Sequence, residues 1–179
     1  KEPFHYDLLA AIPPHHGPRF LKEARLTNEA GWVPVDRATL ETRYKNIYAL
    51  GDVTALSIPG RWKPDVPMML PKAGVFAHAQ AEVLARRIAD EIKGVASEET
   101  FRGDGYCSLE VGGGIAGFAS GNFFAEPSPQ VQLRKPGRTW HLGKVLFEKW
   151  WLASPGFRQG VLGLTLRMSS KLFKVPGSL

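Results

Sequence analysis

Apolar residues cluster in two runs in the first 50 positions. One is HYDLLAAIPP, at residues 5–14, and the other is IYAL, at residues 47–50. Each run is short and nearly continuous, which is typical of a strand buried on both faces, so both are predicted to be buried strands. A short hairpin-like piece is predicted between them, around Trp32 to Val35.

The pattern changes to a helical period in residues 72–93. Apolar side chains recur on one helical face and charged side chains recur on the opposite one. The apolar face is formed by Ala77, Ala81, Leu84, Ala85, Ile88 and Ile92, and the charged face by Glu82, Arg86, Arg87 and Asp90. Gly94 supplies a stop signal directly after this stretch. Residues 47–93 are therefore predicted to form a strand, a loop and a helix in that order.

The C-terminal part begins after a polar linker at residues 95–100. The chain becomes strand-like from Phe101, and it ends in two stretches, LGKVLFEKWWL and FRQGVLGLTLRMSSKLFKV, that predict amphipathic helices. The second helix carries a narrow apolar stripe made of Phe157, Val161, Leu164, Met168, Leu172 and Val175. We expect a second, smaller unit to start near residue 101.

The glycine motif VGGGIAG, at residues 111–117, matches the letters of a dinucleotide-binding fingerprint. Such a fingerprint requires a helix directly after it, because the helix N-terminus binds the pyrophosphate. The residues that follow are FASGNFFAEPSPQ, in which Gly121, Asn122 and two prolines oppose a helix. The motif is therefore predicted to be two strands, CSLEV and GFASGNFF, joined or bent at the glycines.

The charge of the chain is concentrated at its C-terminal end. The 179 residues carry a formal net charge of +6, and residues 131–179 hold nine Lys or Arg against the single Glu148. Such a basic block is typical of a surface that binds an anionic membrane, an acidic protein or nucleic acid, or of a solvated surface that binds nothing. Because no nucleic-acid recognition motif accompanies it, nucleic acid is not expected. Trp140, Trp150 and Trp151 suit a membrane-interface anchor. The alternative is that the apolar stripes of the two C-terminal helices pack against another domain of the protein or a second subunit.

Cysteine and histidine usage narrows the chemistry. Cys107 is the single cysteine, so no disulfide can close within this sequence. Zinc-site cysteine spacings are absent, the histidines do not fall at metal-ligand spacings, and no metal is expected. No apolar run approaches the roughly 20 residues that a membrane span requires.

Three segments carry a resemblance to a known family. TLETRYKNIYALGDVT, LPKAGVFAHAQAEVLARRIA and FRGDGYCSLEVGGG resemble the C-terminal half of an FAD-dependent pyridine nucleotide-disulfide oxidoreductase. They are most similar to sulfide:quinone oxidoreductases and to the flavoprotein subunit of flavocytochrome c sulfide dehydrogenase. The resemblance implies an α/β fold, α+β overall. Residues 1–94 would be the C-terminal portion of a Rossmann-like FAD-binding domain, and residues 101–179 a small β-sheet domain with amphipathic helices.

The resemblance also implies a cofactor site. Gly51 and Asp52 would lie at the ribityl chain or a phosphate of FAD, with a turn-capping role as the alternative for Asp52. The turn Pro71, Lys72, Ala73 and Gly74 would set a helix N-terminus against the pyrimidine end of the flavin. The backbone of this turn is expected to matter more than the Lys72 side chain.

The resemblance makes Cys107 a candidate redox cysteine, paired in this family with a cysteine earlier in the chain. The alternative is a small buried cysteine on a strand. The two glycine-rich fingerprints of complete enzymes are absent, so we expect a fragment that binds FAD poorly without the upstream part of the same polypeptide.

The implied donor is sulfide or NAD(P)H, and the implied acceptor is quinone or another electron acceptor. A cytoplasmic location, peripheral on a membrane, is expected, with the periplasm as the alternative. A homodimer also stays open. The competing hypothesis is a noncatalytic dimerisation or membrane-docking module.

Overall fold

A computed structural model describes residues 3–175, apart from the side chain of Trp62. The helices are α1 (Arg19–Glu23), α2 (Gly74–Ile92), α3 (Arg138–Trp151) and α4 (Phe157–Phe173). The strands are β1 (Val33–Pro34), β2 (Thr54–Ala55), β3 (Ser57–Lys63), β4 (Val66–Met69), β5 (Asp104–Gly112), β6 (Ile115–Asn122) and β7 (Gln130–Gly137). This mixture of helices and sheets, with a small sheet near the C-terminus, confirms the predicted fold class.

The strands form three small sheets. β1 and β2 pair in parallel, β3 and β4 form an antiparallel hairpin, and β5, β6 and β7 form an antiparallel sheet in that order. In the third sheet, each strand pairs with the next strand in the chain, and a tight turn joins β5 to β6. α3 packs on this sheet, where the Trp140 and Phe118 rings stack with centroids 5.0 Å apart.

The glycine motif forms the turn between β5 and β6. Gly112, Gly113 and Gly114 have φ angles of +88°, +61° and +70°. Successive positive φ values suit the tight turns that match the twist of a hairpin, and glycine adopts them without steric cost. The prediction of two strands joined at the glycines is confirmed, and no helix follows the motif.

α2 is the predicted helix, and its buried face differs from the predicted one. Gly94 follows the helix with a φ of +70°, as expected for a C-terminal stop. The buried positions are Phe76, Gln80 and Leu84. Ile88 is 38% exposed and Ile92 is 81% exposed, so the predicted apolar face is wrong at its C-terminal end. The described chain places no element over that end of α2.

The main core lies between α2 and the loops around it. Its buried members are Leu40, Leu56, Ile58, Leu70, Phe76, Leu84 and Phe101. Phe123 and Phe124, which follow β6, pack against the same cluster. Aromatic residues from beyond position 100 therefore share a core with α2, and the division at residues 94 and 101 stays a prediction.

Three predictions in the first 50 residues are wrong. Residues 5–14 form no strand, and Leu8 is 87% exposed, because no strand among the described residues lies beside them. Residues 47–50 make a single bridge, between Tyr48 and Glu41. Val33 and Pro34 pair in parallel with Thr54 and Ala55, so the piece at Trp32–Val35 is not a hairpin. A strand without a neighbour cannot satisfy its backbone hydrogen bonds.

The two predicted amphipathic helices are confirmed as α3 and α4. The apolar stripe of α4 faces outward, and Phe157 and Leu172 are 89% and 77% exposed. Val175, the last member of the predicted stripe, lies after the end of α4 and is half-buried. Within residues 3–175, no helix combines the length and the apolar character needed to cross a membrane.

Candidate functional site

The site is built around a tight turn at Gly51–Val53. The chain enters it from Leu50 in an extended conformation, and Gly51 takes a φ of +72°. A Cβ atom at position 51 would lie 3.2 Å from the Cβ of Ala77 on α2. Both the backbone conformation and the close approach to the helix therefore favour glycine here.

Gln80 fixes this turn to α2. Its side chain is only 1% exposed, and its Oε1 accepts a hydrogen bond from the backbone N–H of Gly51 at 2.6 Å. The Thr54 hydroxyl donates to the Gly51 carbonyl at 2.8 Å. Gln80 was not among the site residues predicted from the sequence. The available signal was a polar residue at helical spacing between Phe76 and Leu84, where a buried amide needs a partner.

Asp52 presents its carboxylate to solvent. Its backbone carbonyl accepts a hydrogen bond from Lys72. Within the described part of the chain, its carboxylate accepts no hydrogen bond, so the alternative role of Asp52 as a turn cap has no support from the geometry. The carboxylate is available to accept hydrogen bonds from a ligand.

The N-terminus of α2 also presents free polar groups. Ala73 is the N-cap residue, and its carbonyl accepts from the N–H groups of Phe76 and Ala77 at 3.1 and 3.2 Å. The N–H groups of Gly74 and Val75 have no acceptor within residues 3–175. Such N–H groups, together with the positive end of the helix dipole, favour negative charge.

Lys72 turns back over this region. Its Nζ donates to the carbonyl of Thr54 at 3.3 Å and to that of Asp52, and it lies 3.7 Å from the centroid of the Trp32 ring. Removal of water from around the ammonium lowers the pKa of Lys72 below its usual value, and the nearby charge of Asp52 opposes part of this change. Trp32 is a second residue that the sequence analysis missed as part of the site.

The predicted cofactor residues converge on one small cleft of about 10 Å³. The cleft is lined by Gly51, Asp52, Thr54, Leu70, Pro71, Lys72, Ala73, Phe76 and Gln80, and Gly74 follows directly as the first residue of α2. Residues 20 positions apart in sequence thus meet at the junction of a turn and a helix N-terminus. The described residues contain no cluster of three or more His, Cys, Asp or Glu side chains suited to a metal ion.

Cys107 lies outside this cleft, on β5. It pairs with Ala119 of β6, and its thiol is exposed, so the alternative of a buried cysteine is wrong. β5 is nevertheless close to α2, because a Cβ atom at Gly105 would lie 2.3 Å from the Phe76 ring. Positions 105 and 107 share one face of the strand. That face is the one that packs on the first turn of α2.

A group of aromatic side chains joins the sheet to the C-terminal helices. Its members are His78, Tyr106, Phe118, Trp140, Phe147, Trp150, Trp151 and Phe173, with neighbouring ring centroids 5.0–6.3 Å apart. His78 belongs to α2 and meets Trp151 of α3 at 5.3 Å. The tryptophans predicted to anchor a membrane therefore pack against other rings, and Trp151 remains half exposed.

Comparison with known proteins confirms the resemblance to sulfide:quinone oxidoreductases. No protein-family model matches the chain. The chain is similar to the sulfide-quinone reductase of Aquifex aeolicus (strain VF5), with 31% identity over 170 residues that cover 88% of this chain and 38% of the relative. It is also similar to the mitochondrial sulfide:quinone oxidoreductase of Mus musculus, with 28% identity over 123 residues that cover 68% of this chain and 25% of the relative. The chain thus spans well under half the length of either relative.

Proposed function

We propose that the chain is the C-terminal part of an FAD-dependent sulfide:quinone oxidoreductase-like enzyme that passes electrons from sulfide to quinone. The observation that carries the proposal is that Gly51, Asp52 and Pro71–Gly74 meet at one cleft. This cleft lies at the start of α2, where the first N–H groups of the helix have no acceptor within the described residues. The names of the similar proteins support sulfide and quinone as the two substrates.

The polar groups at the cleft suit FAD. The free Asp52 carboxylate can accept hydrogen bonds from the hydroxyls of the ribityl chain, and Gly51 lets the turn that carries Asp52 lie close against α2. The unbonded N–H groups of Gly74 and Val75 favour negative charge, which suits the pyrimidine edge of a flavin. Bound FAD would supply the two-electron redox chemistry that protein side chains lack.

Cys107 is the proposed sulfur-handling residue. Its exposed position on β5 leaves the thiol accessible, and the contact between Gly105 and Phe76 holds this strand beside the first turn of α2. Its reaction with sulfur species would require the thiolate form. On this proposal, the partner cysteine of the redox pair and the remaining part of the FAD site would both belong to an upstream part of the same polypeptide.

The C-terminal helices support a peripheral membrane role near the quinone site. The apolar stripe of α4 is exposed, and nine basic residues lie in residues 131–179. Exposed apolar side chains next to basic ones suit binding to an anionic lipid surface. The aromatic group that joins the sheet to the C-terminal helices is a suitable surface for a quinone ring, because aromatic rings stack on one another.

The test is an absorbance spectrum of the complete protein, followed by anaerobic addition of sulfide and, separately, of NADH. We expect flavin bands that bleach on addition of sulfide. Bleaching by NADH alone would move the function to a nicotinamide-linked dehydrogenase. A complete protein without flavin, or without an upstream cysteine, would contradict the proposal.

The second candidate function is a noncatalytic membrane-docking or dimerisation module. It is favoured by the exposed stripe of α4, which needs no flavin to bind lipid. Sedimentation of the chain with anionic liposomes at low and high salt tests it. Salt-sensitive binding by a protein that holds no flavin would put this candidate first.

A further inference from the structure

Lys72 is held from several sides at once. Its ammonium group carries three N–H bonds, and two acceptors are the backbone carbonyls of Asp52 and Thr54. The same nitrogen lies 3.7 Å from the centroid of the Trp32 ring, well within the range of a cation–π contact. A lysine side chain is long and flexible, so three simultaneous contacts define its position far better than one.

Trp32 is itself fixed by its surroundings. Its backbone N–H donates to the Asn28 side chain at 3.0 Å, and its carbonyl accepts from the Asn28 N–H at 2.7 Å. The next residue, Val33, is 1% exposed and pairs with Thr54 in the β1–β2 ladder. Trp32 directly precedes β1, and Thr54, whose carbonyl accepts from Lys72, is the residue of β2 that pairs with Val33.

We propose that Trp32 is a positioning residue that holds the Lys72 ammonium beside the first turn of α2. Lys72 and Ala73, the N-cap residue of α2, both line the cleft, so the lysine charge adds there to the positive end of the helix dipole. This inference rests on the proposed function, in which the Lys72 charge would face the electron-rich pyrimidine ring of reduced flavin. Trp32 would thereby raise the flavin reduction potential through Lys72.

The first arm of the test measures the position of Lys72 in the chain as it stands, without flavin. Protons held over an indole face experience its ring current, so the Lys72 ε-protons should resonate upfield of those of the other lysines. Lys72→Met identifies the signal. We expect Trp32→Leu to abolish the upfield shift and Trp32→Phe to retain part of it, because phenylalanine is a weaker cation–π partner.

A matched control uses a second cation–π pair, which lies away from Lys72 in sequence. The Arg43 guanidinium lies 5.0 Å from the Tyr44 ring centroid. Tyr44→Leu removes an aromatic ring of this kind and should leave the Lys72 signal in place. A Lys72 signal without an upfield shift, or one that Trp32→Leu leaves unchanged, would overturn the positioning role.

The second arm measures the flavin midpoint potential of the complete FAD-loaded protein. We expect Trp32→Leu and Lys72→Met each to lower the potential, and Trp32→Leu to have no further effect in the Lys72→Met background. A Trp32→Leu effect that persists without Lys72 would overturn the proposed route through the lysine. Failure of the complete protein to bind flavin would contradict the proposed function, while the first arm would still decide whether Trp32 positions Lys72.

Discussion

The Gly51 turn and the β5–β6 turn both use glycine at positive φ, and they differ in what surrounds them. At the Gly51 turn, a Cβ atom would lie 3.2 Å from Ala77, and the buried Gln80 binds the backbone N–H. At the β5–β6 turn, nothing lies within 4 Å of a Cβ atom placed on Gly112 or Gly113. Both turns require the backbone freedom of glycine, but only the first also requires the absence of a side chain.

The difference shows how a glycine at a proposed cofactor site can be distinguished from a glycine in a hairpin. The motif at residues 111–117 contains four glycines in a nucleotide-binding pattern, and it forms an open turn. The single Gly51 lies where a strand-like segment, a helix N-terminus and a buried amide meet. The packing around a glycine therefore says more about its role than the number of glycines near it.

The largest expected effect separates the two turns directly. Gly51→Ala should lower the free energy of unfolding by about 2–3 kcal/mol, since it adds a tight contact with Ala77 to the cost of a left-handed backbone. Gly113→Ala should cost only the conformational part, about 1–2 kcal/mol. Urea unfolding of both variants measures the difference. Equal losses would show that the packing around Gly51 contributes nothing.

The next effect tests the amide that distinguishes the Gly51 turn. Gln80→Leu removes the acceptor of the Gly51 N–H inside the protein, and an unpaired buried N–H costs about 1–3 kcal/mol. Gln132→Leu changes an exposed glutamine on β7 and serves as the control, with little expected effect. Urea unfolding should separate the two variants, and equal stability would contradict the role assigned to Gln80.

A smaller effect concerns the pH dependence of stability. Because the native pKa of Lys72 lies below the usual 10.5, the unfolded chain binds more protons between those two values. The contribution of Lys72 to the free energy of unfolding should therefore increase as pH rises through this window. Lys72→Met should remove that contribution, whereas Lys45→Met, at an exposed site, should keep it. Identical pH profiles for all three proteins would refute the cause assigned to the shift.

The smallest effect is expected at the β5–β6 hairpin, which is held to α3 by partly exposed charges. The carboxylate of Glu110 lies 3.1 Å from His141 Nδ1 and 3.9 Å from Lys144 Nζ. Such ion pairs contribute little and are screened by salt. Glu110→Gln should therefore destabilise less than Gln80→Leu, and added salt should shrink its effect. A loss as large as that of Gln80→Leu would show that the two turns are anchored with similar strength.

The parts of the fold that depend on local contacts could be predicted from the sequence. The period of residues 72–93 with Gly94 after it indicated α2, and the glycines between two short apolar runs indicated the β5–β6 hairpin. In both cases the residues that complete the structure are close neighbours in the chain. The six predicted cofactor residues also meet in space, although their role in binding remains a proposal.

The parts that depend on distant partners could not be predicted in the same way. The run at residues 5–14 has the composition of a buried strand, but the described chain supplies no strand beside it. The parallel pairing of Val33 with Thr54 joins residues 21 positions apart without any turn signal. Gln80 was missed because a polar residue on an apolar helix face reveals its partner only when the Gly51 turn is in place.

The most direct test of the central claim is the FAD content of the complete protein purified in three forms: unchanged, with Gly51→Ala, and with Gly113→Ala. We predict that the unchanged protein and Gly113→Ala carry FAD in similar amounts, and that Gly51→Ala loses most of it. The measurement uses the flavin absorbance of folded protein, with folding checked by circular dichroism. Full flavin content in folded Gly51→Ala, or an equal loss in both variants, would contradict the claim that the Gly51 turn is the cofactor site.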